Sequence, residues 1–129
     1  MGFIAHKHDD GQPKPFEYLP AGEELTLVPG TALTFVDGAL ALAAGTVKPT
    51  YISEIKTTTV AGQIIPVSRV DGERIYETAL SAADAALAPG ALRTIDATGN
   101  LITATAAGGV AEVVSFDGKA AGDKVRVRF

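Results

Sequence analysis

The sequence predicts a mainly β fold, a small barrel- or sandwich-like body of short antiparallel strands. Three observations carry this. Asp-Gly pairs at Asp37-Gly38, Asp71-Gly72 and Asp117-Gly118 mark tight turns, because glycine takes a positive φ without steric cost. Between the turns lie short runs rich in Val, Ile, Thr and Tyr, residues that suit a pleated, half-buried surface. In the last run, Val125, Val127 and Phe129 alternate with Lys124, Arg126 and Arg128, which is the period of a strand with one apolar and one cationic face.

Taken in order, residues 1–22 read as an extended N-terminal arm. They hold both histidines, His6 and His8, the acidic turn Asp9-Asp10-Gly11, and Pro13, Pro15 and Pro20. The prolines bias their neighbours towards extended backbone. Five large apolar residues, Phe3, Ile4, Phe16, Tyr18 and Leu19, are spread through the arm without a period. Two readings of them stay open: the arm packs on its own domain, or it docks on a partner.

Residues 23–129 read as a single β-rich domain. Strands are expected near 24–28, 33–36, 39–43, 47–56, 63–70, 74–79, 92–96, 101–105, 110–116 and 124–129. Thr57-Thr58-Thr59-Val60 fits a strand or sheet edge better than a helix. One short helix is expected at about 81–88. There Ser81-Ala82-Ala83-Asp84 matches a capping box, Ala85-Ala86-Leu87 follows, and Pro89-Gly90 ends it. The segment from Pro29-Gly30 to Leu40 also echoes that from Pro89-Gly90 to Leu101. Chance likeness of Gly-turn hairpins and a pseudo-duplicated barrel both account for the echo.

Composition narrows the function. Of 129 residues, 47% are hydrophobic, but 22 of these are Ala and only 38 are larger. Gly and Pro together number 21. This is a turn-rich chain with a modest core. Zero cysteines exclude a disulfide scaffold and any thiolate site. No apolar run approaches the roughly 18 residues of a membrane-spanning helix, so no membrane partner is expected. The start lacks a long apolar stretch, so no signal peptide is expected, and His6 stands where a myristoylation motif wants Ser or Thr. A net charge of −4 with 11 Lys plus Arg argues against a nucleic-acid partner.

Catalytic constellations are missing. The two histidines sit in the arm, a poor place for a base that catalysis needs held to within about 0.5 Å. No phosphate-cradling glycine loop is present. His6, His8, Asp9 and Asp10 are ligand types, but nothing later in the chain completes a metal set. Glu23-Glu24 reads as a solvated pair at a strand start, and Tyr51, after Lys48-Pro49-Thr50, as half-buried packing. The stripe Lys124, Arg126 and Arg128, with Lys119 nearby, reads as a solvated face or as a contact face for an acidic partner. No catalytic, cofactor or metal residue is assigned, and the chain is not expected to be an enzyme.

Several segments in order carry a resemblance. They are the Pro-rich arm, the Pro29–Leu40 hairpin, Gly45-Thr-Val-Lys-Pro-Thr-Tyr-Ile52, Ile65-Pro-Val-Ser-Arg-Val70, Tyr76-Glu-Thr-Ala-Leu-Ser81 and Gly122-Asp-Lys-Val-Arg-Val-Arg-Phe129. From about residue 21 the chain resembles the head decoration, or capsid cement, proteins of tailed phages. It departs from lambda-type examples by its lack of Trp and by its Gly-Thr-Val-Lys-Pro-Thr-Tyr-Ile segment at 45–52. The resemblance implies a compact β body that clusters as a homotrimer on the capsid exterior of the virion after synthesis in the host cytoplasm. It also implies that the body bridges major capsid protein subunits, with an arm adding to the lattice and no cofactor. The arm residues expected to contact the capsid are Phe3, Ile4, Phe16 and Tyr18. The alternative reading is a non-catalytic β-sandwich module that binds carbohydrate or a host surface.

Overall fold

The structure of the chain, a computed structural model, describes residues 2–8 and 16–129, and for residues 5–8 the backbone alone. The described residues form strands β1 (Ile4–His8), β2 (Phe16–Pro20), β3 (Thr26–Leu27), β4 (Ala32–Val36), β5 (Ala39–Leu42) and β6 (Tyr51–Ser53). They continue with β7 (Thr57–Thr58), β8 (Ile64–Arg69), β9 (Arg74–Ala79), β10 (Leu92–Arg93), β11 (Ala111–Phe116) and β12 (Lys124–Arg128). The mainly β expectation holds: a first sheet runs β1-β9-β12-β11-β10, a second β2-β8-β6-β4-β5, and β3 pairs with β7 in a small ribbon. All strand pairs are antiparallel.

The body is sandwich-like rather than a closed barrel. The second sheet curls until its outer strands touch at one bridge, Ala21 to Leu40. Inside that curl lies one core, made of Leu25, Leu27, Leu33, Leu40, Tyr51, Ile65 and Val67. The other core fills the space between the two sheets, where Phe3, Ile52, Tyr76, Ile95, Ile102, Val113, Val125 and Val127 pack together. Strands β4 and β6 are therefore covered on both faces. Successive side chains alternate faces, so Ala32 and Ile52 enter the inter-sheet core while their neighbours Leu33 and Tyr51 enter the curl.

Turn chemistry explains the tightest corner. Val36 pairs with Ala39 across a two-residue loop. Both loop residues, Asp37 at φ 51° and Gly38 at φ 79°, have the positive φ of a type I′ turn, which matches the strand twist. Asp71-Gly72 does different work: it carries the chain from β8 in the second sheet to β9 in the first. There the Asp71 carboxylate accepts hydrogen bonds from the Glu73 and Arg74 amides, both at 3.0 Å.

The helix expected at 81–88 does not form. The Asp84 amide donates to Lys119 O at 2.9 Å, far along the chain, and the Asp84 carboxylate takes the Arg93 guanidinium at 2.6 Å. Only one local turn remains, Leu87 N–H to Asp84 O at 3.2 Å, with Leu87 buried in the inter-sheet core. Two turns of helix are marginal alone, and these tertiary bonds outweigh them. The strand expected at 101–105 shrinks to a single residue, Ile102, which bridges Leu80 on one side and Ile95 on the other.

The described residues of the N-terminal segment supply an outer strand to each sheet: β1 beside β9, β2 beside β8. The echoing Pro-Gly segments fall in different places, the first forming β4 and β5 in the second sheet, the other leading into β10 in the first. They meet where Ala32 N–H donates to Gly99 O at 2.8 Å.

Candidate docking face and inter-sheet cleft

The register of the second sheet builds an apolar outer face. Phe16 lies opposite Ser68, and Ser68 opposite Ile52; Tyr18 lies opposite Pro66, and Pro20 opposite Ile64. Phe16, Tyr18, Pro20, Ile64, Pro66 and Ile52 thus share one face. Its inner end, Ile52, is buried in the core, while Phe16 is 56%, Tyr18 67% and Ile64 57% exposed. Ile4 on β1 is also half exposed. Large apolar side chains scattered singly on a surface need no explanation, but Phe16, Tyr18 and Ile64 stand together on one face of paired strands.

Of the four residues expected to contact a partner, Ile4, Phe16 and Tyr18 lie at the surface. Phe3 does not, and the expectation for it is corrected: it is 1% exposed. Its amide donates to Gly30 O at 2.7 Å, and its ring packs edge-on against Phe129 with centroids 5.2 Å apart. Burying a Phe side chain in the molecule's own core stabilises it by roughly 1.5–3 kcal/mol, more than a solvated position offers.

Ile4 and Phe16 both line a cleft of about 310 Å³ between the two sheets. Phe3, Ile52 and Tyr76 supply further apolar wall, and Ser53, Glu54, Ser68 and Arg74 supply polar atoms. Ser68 Oγ donates to Glu54 Oε1 at 2.7 Å. The Tyr76 hydroxyl is buried and has no hydrogen-bond partner among the described residues. Burial pushes its ionisation up to about 12; the nearby Arg74 charge opposes the rise, while Asp71 and Glu54 reinforce it. The hydroxyl is therefore a neutral donor throughout the ordinary pH range. Ile64, Glu54, Ser68 and Tyr76 were not singled out by sequence reasoning. The alternation of β8 is a signal for Ile64, but nothing local marks the hydroxyl of Tyr76 as unpaired.

The cationic stripe is neutralised within its own sheet. Arg126 reaches Glu77 at 3.1 Å and Asp117 at 3.0 Å, Arg128 reaches Glu112 at 2.8 Å, and Lys124 lies 3.8 Å from Glu77. Cross-strand register brings the first pair together, since Arg126 lies opposite Glu77. Lys119 Nζ donates to Ala85 O at 3.3 Å. Glu23 and Glu24 are exposed. Tyr51 is buried at 7% exposure beneath the Arg69 guanidinium, which sits 5.1 Å from its ring centroid and pairs in a fork with Glu17. Among the described residues no group of three His, Asp or Glu side chains gathers. His6 and His8 lie in β1, and Asp9, Asp10, Pro13 and Pro15 lie outside the described residues.

Comparison of the chain with protein-family models returns no match, and comparison with curated proteins returns none.

Proposed function

We propose that this chain is a non-catalytic structural protein, a phage head decoration protein that binds the capsid exterior and bridges major capsid protein subunits, as a homotrimer. The observation that carries the reading is the exposed apolar row Phe16, Tyr18 and Ile64, continuous with the core through Ile52 and flanked by Ile4. It belongs to a molecule whose cationic stripe is already spent on internal ion pairs, so attraction to a polyanion does not explain its surface. The segment resemblance supports the same reading. A protein that binds only the assembled shell stabilises it by mass action, and three linked copies multiply weak contacts.

The test mixes the purified chain with capsids of the encoding phage from which decoration protein has been removed. Saturable binding and a higher shell-disruption temperature are expected. The double variant Phe16→Ser, Tyr18→Ser is expected to bind at least tenfold more weakly, about 1.4 kcal/mol, with unchanged unfolding of the free protein. Absence of binding by the unmodified chain, or equal binding by the variant, overturns the reading.

A further inference from the structure

We propose that Asp37-Gly38, the tip of the β4–β5 hairpin, is a modification site: the fold leaves this pair open to spontaneous conversion of aspartate to isoaspartate, while it protects Asp71-Gly72 and Asp117-Gly118. The chemistry is intramolecular. The Gly38 nitrogen attacks Cγ of the Asp37 carboxyl; the N–Cγ bond forms, and the carboxyl OH leaves as water, taking the amide proton. Water then opens the resulting five-membered imide. Addition at Cγ restores aspartate. Addition at the main-chain carbonyl carbon breaks the original Asp37–Gly38 peptide bond and leaves the chain running through Cγ. One water leaves and one enters, so no other reactant is needed.

All three pairs place glycine after aspartate, so each offers the same unhindered nucleophile. The fold separates them. The Asp71 carboxylate accepts from the Glu73 and Arg74 amides, both at 3.0 Å, which ties it to the chain beyond Gly72. The Asp117 carboxylate accepts from Arg126 Nη2 at 3.0 Å, and the Asp123 carboxylate crowds Gly118. A carboxylate paired with a guanidinium is held in its ionised form, whereas ring closure must expel one oxygen as water. Asp37 has neither restraint. Its side chain makes no hydrogen bond or ion pair with a described residue, and the Gly38 amide donates none. Both residues are exposed, and nothing lies within 4 Å of where a Cβ on Gly38 would sit.

The backbone adds to the contrast. Among the described residues Asp37, at φ 51°, is the one non-glycine residue with a positive φ. That region costs an L residue energy, so ring closure at Asp37 starts from a strained ground state. The product has a structural consequence. The β-linkage inserts Cβ into the main chain, so Val36 and Ala39 no longer pair across a two-residue type I′ loop. The change falls next to Leu40, whose bridge to Ala21 draws the outer strands of the second sheet together.

The test incubates the full folded chain at 37 °C in water enriched in oxygen-18, because each passage through the imide adds one heavy oxygen. Cleavage after glutamate in ordinary water then puts the three pairs in separate peptides, residues 25–54, 55–73 and 113–129. Asp10-Gly11 lies outside the described residues, and its peptide, residues 1–17, is read separately. Mass spectrometry measures the label, and electron-transfer fragmentation tells isoaspartate from aspartate. Peptide 25–54 is expected to gain label and isoaspartate at least fivefold faster than 55–73 and 113–129. In guanidinium chloride, where the chain is unfolded and the tethers are gone, the three rates are expected to converge to within about twofold. Asp37→Ser is expected to abolish labelling of 25–54. No gain of label in 25–54, equal or faster labelling of either other peptide in the folded chain, the same difference persisting in denaturant, or label that survives Asp37→Ser overturns the proposal.

Discussion

Asp84 and Arg93 form an ion pair buried at both ends: Arg93 Nε donates to Asp84 Oδ2 at 2.6 Å, and the side chains are only 6% and 4% exposed for Arg93 and Asp84. Arg93 also donates to Leu92 O at 2.8 Å, and Asp84 Oδ1 accepts from the Ala86 amide at 3.2 Å. The pair fastens the 81–88 segment to β10. Breaking a buried pair by removing one partner strands the other charge, at a cost of about 3–5 kcal/mol. Asp84→Asn is therefore expected to lower unfolding free energy by about 3 kcal/mol, measured by urea denaturation.

Acid should reveal the same pair. The hydrogen bond from Arg93 holds the Asp84 carboxyl below its ordinary value of 3.8. A carboxyl with a depressed folded-state pKa binds its proton more readily when unfolded, so its stabilisation is full above the ordinary value and drains away below it. Thermal melting followed from pH 6 to pH 2 is expected to fall more steeply below pH 4 for the native protein than for Asp84→Asn.

Base should act on Tyr76 in the opposite sense. Its ionisation is pushed from 10 up to about 12 by burial, so the unfolded chain loses this proton first. Stability is then lost as pH rises from 10 towards 12. Tyr76→Phe is expected to remove that alkaline loss. At neutral pH it is expected to raise stability by about 1 kcal/mol, because an unpaired buried hydroxyl is gone. Paired melts of the two proteins at pH 7 and pH 11 check both statements.

Gly30 sets where the N-terminal strand crosses the body. Its φ is 99°, and a Cβ placed there would sit 2.5 Å from the Phe3 backbone nitrogen. Gly30→Ala is expected to destabilise by more than about 1 kcal/mol. Hydrogen exchange at the amides of residues 4–8, which pair with β9, is expected to accelerate before the rest of the sheet.

Phe3 and Phe16 are separated by burial alone, and their variants should separate too. Phe3→Ala is expected to cost about 3–5 kcal/mol of stability, the range for a buried Phe. Phe16→Ala is expected to stay within about 0.5 kcal/mol, the range for surface substitutions. Chemical denaturation of the two variants side by side measures the contrast.

Much of the fold was legible in local chemistry. Asp37-Gly38 takes the two positive φ values that its residues permit, and the β4–β5 hairpin follows. The alternation in Lys124–Arg128 puts Val125 and Val127 in the core and the cations outside. Three of the four expected contact residues, Ile4, Phe16 and Tyr18, are at the surface. These features depend on neighbours one to four residues away, which a sequence displays directly.

The remainder depended on partners distant in the chain. Ser81–Asp84 reads as a helix start until Arg93 and Lys119 claim Asp84. Phe3 reads like Ile4 until the backbone crossing at Gly30 and the ring of Phe129 bury it. The cationic stripe reads as free charge until register sets Arg126 opposite Glu77. Turn residues and period-two alternation determined that this chain would be strands and hairpins. Only the pairing of strands into two sheets decided which apolar residues became core and which stayed exposed. It also left one buried hydroxyl, Tyr76, at the edge of a cleft without a partner among the described residues.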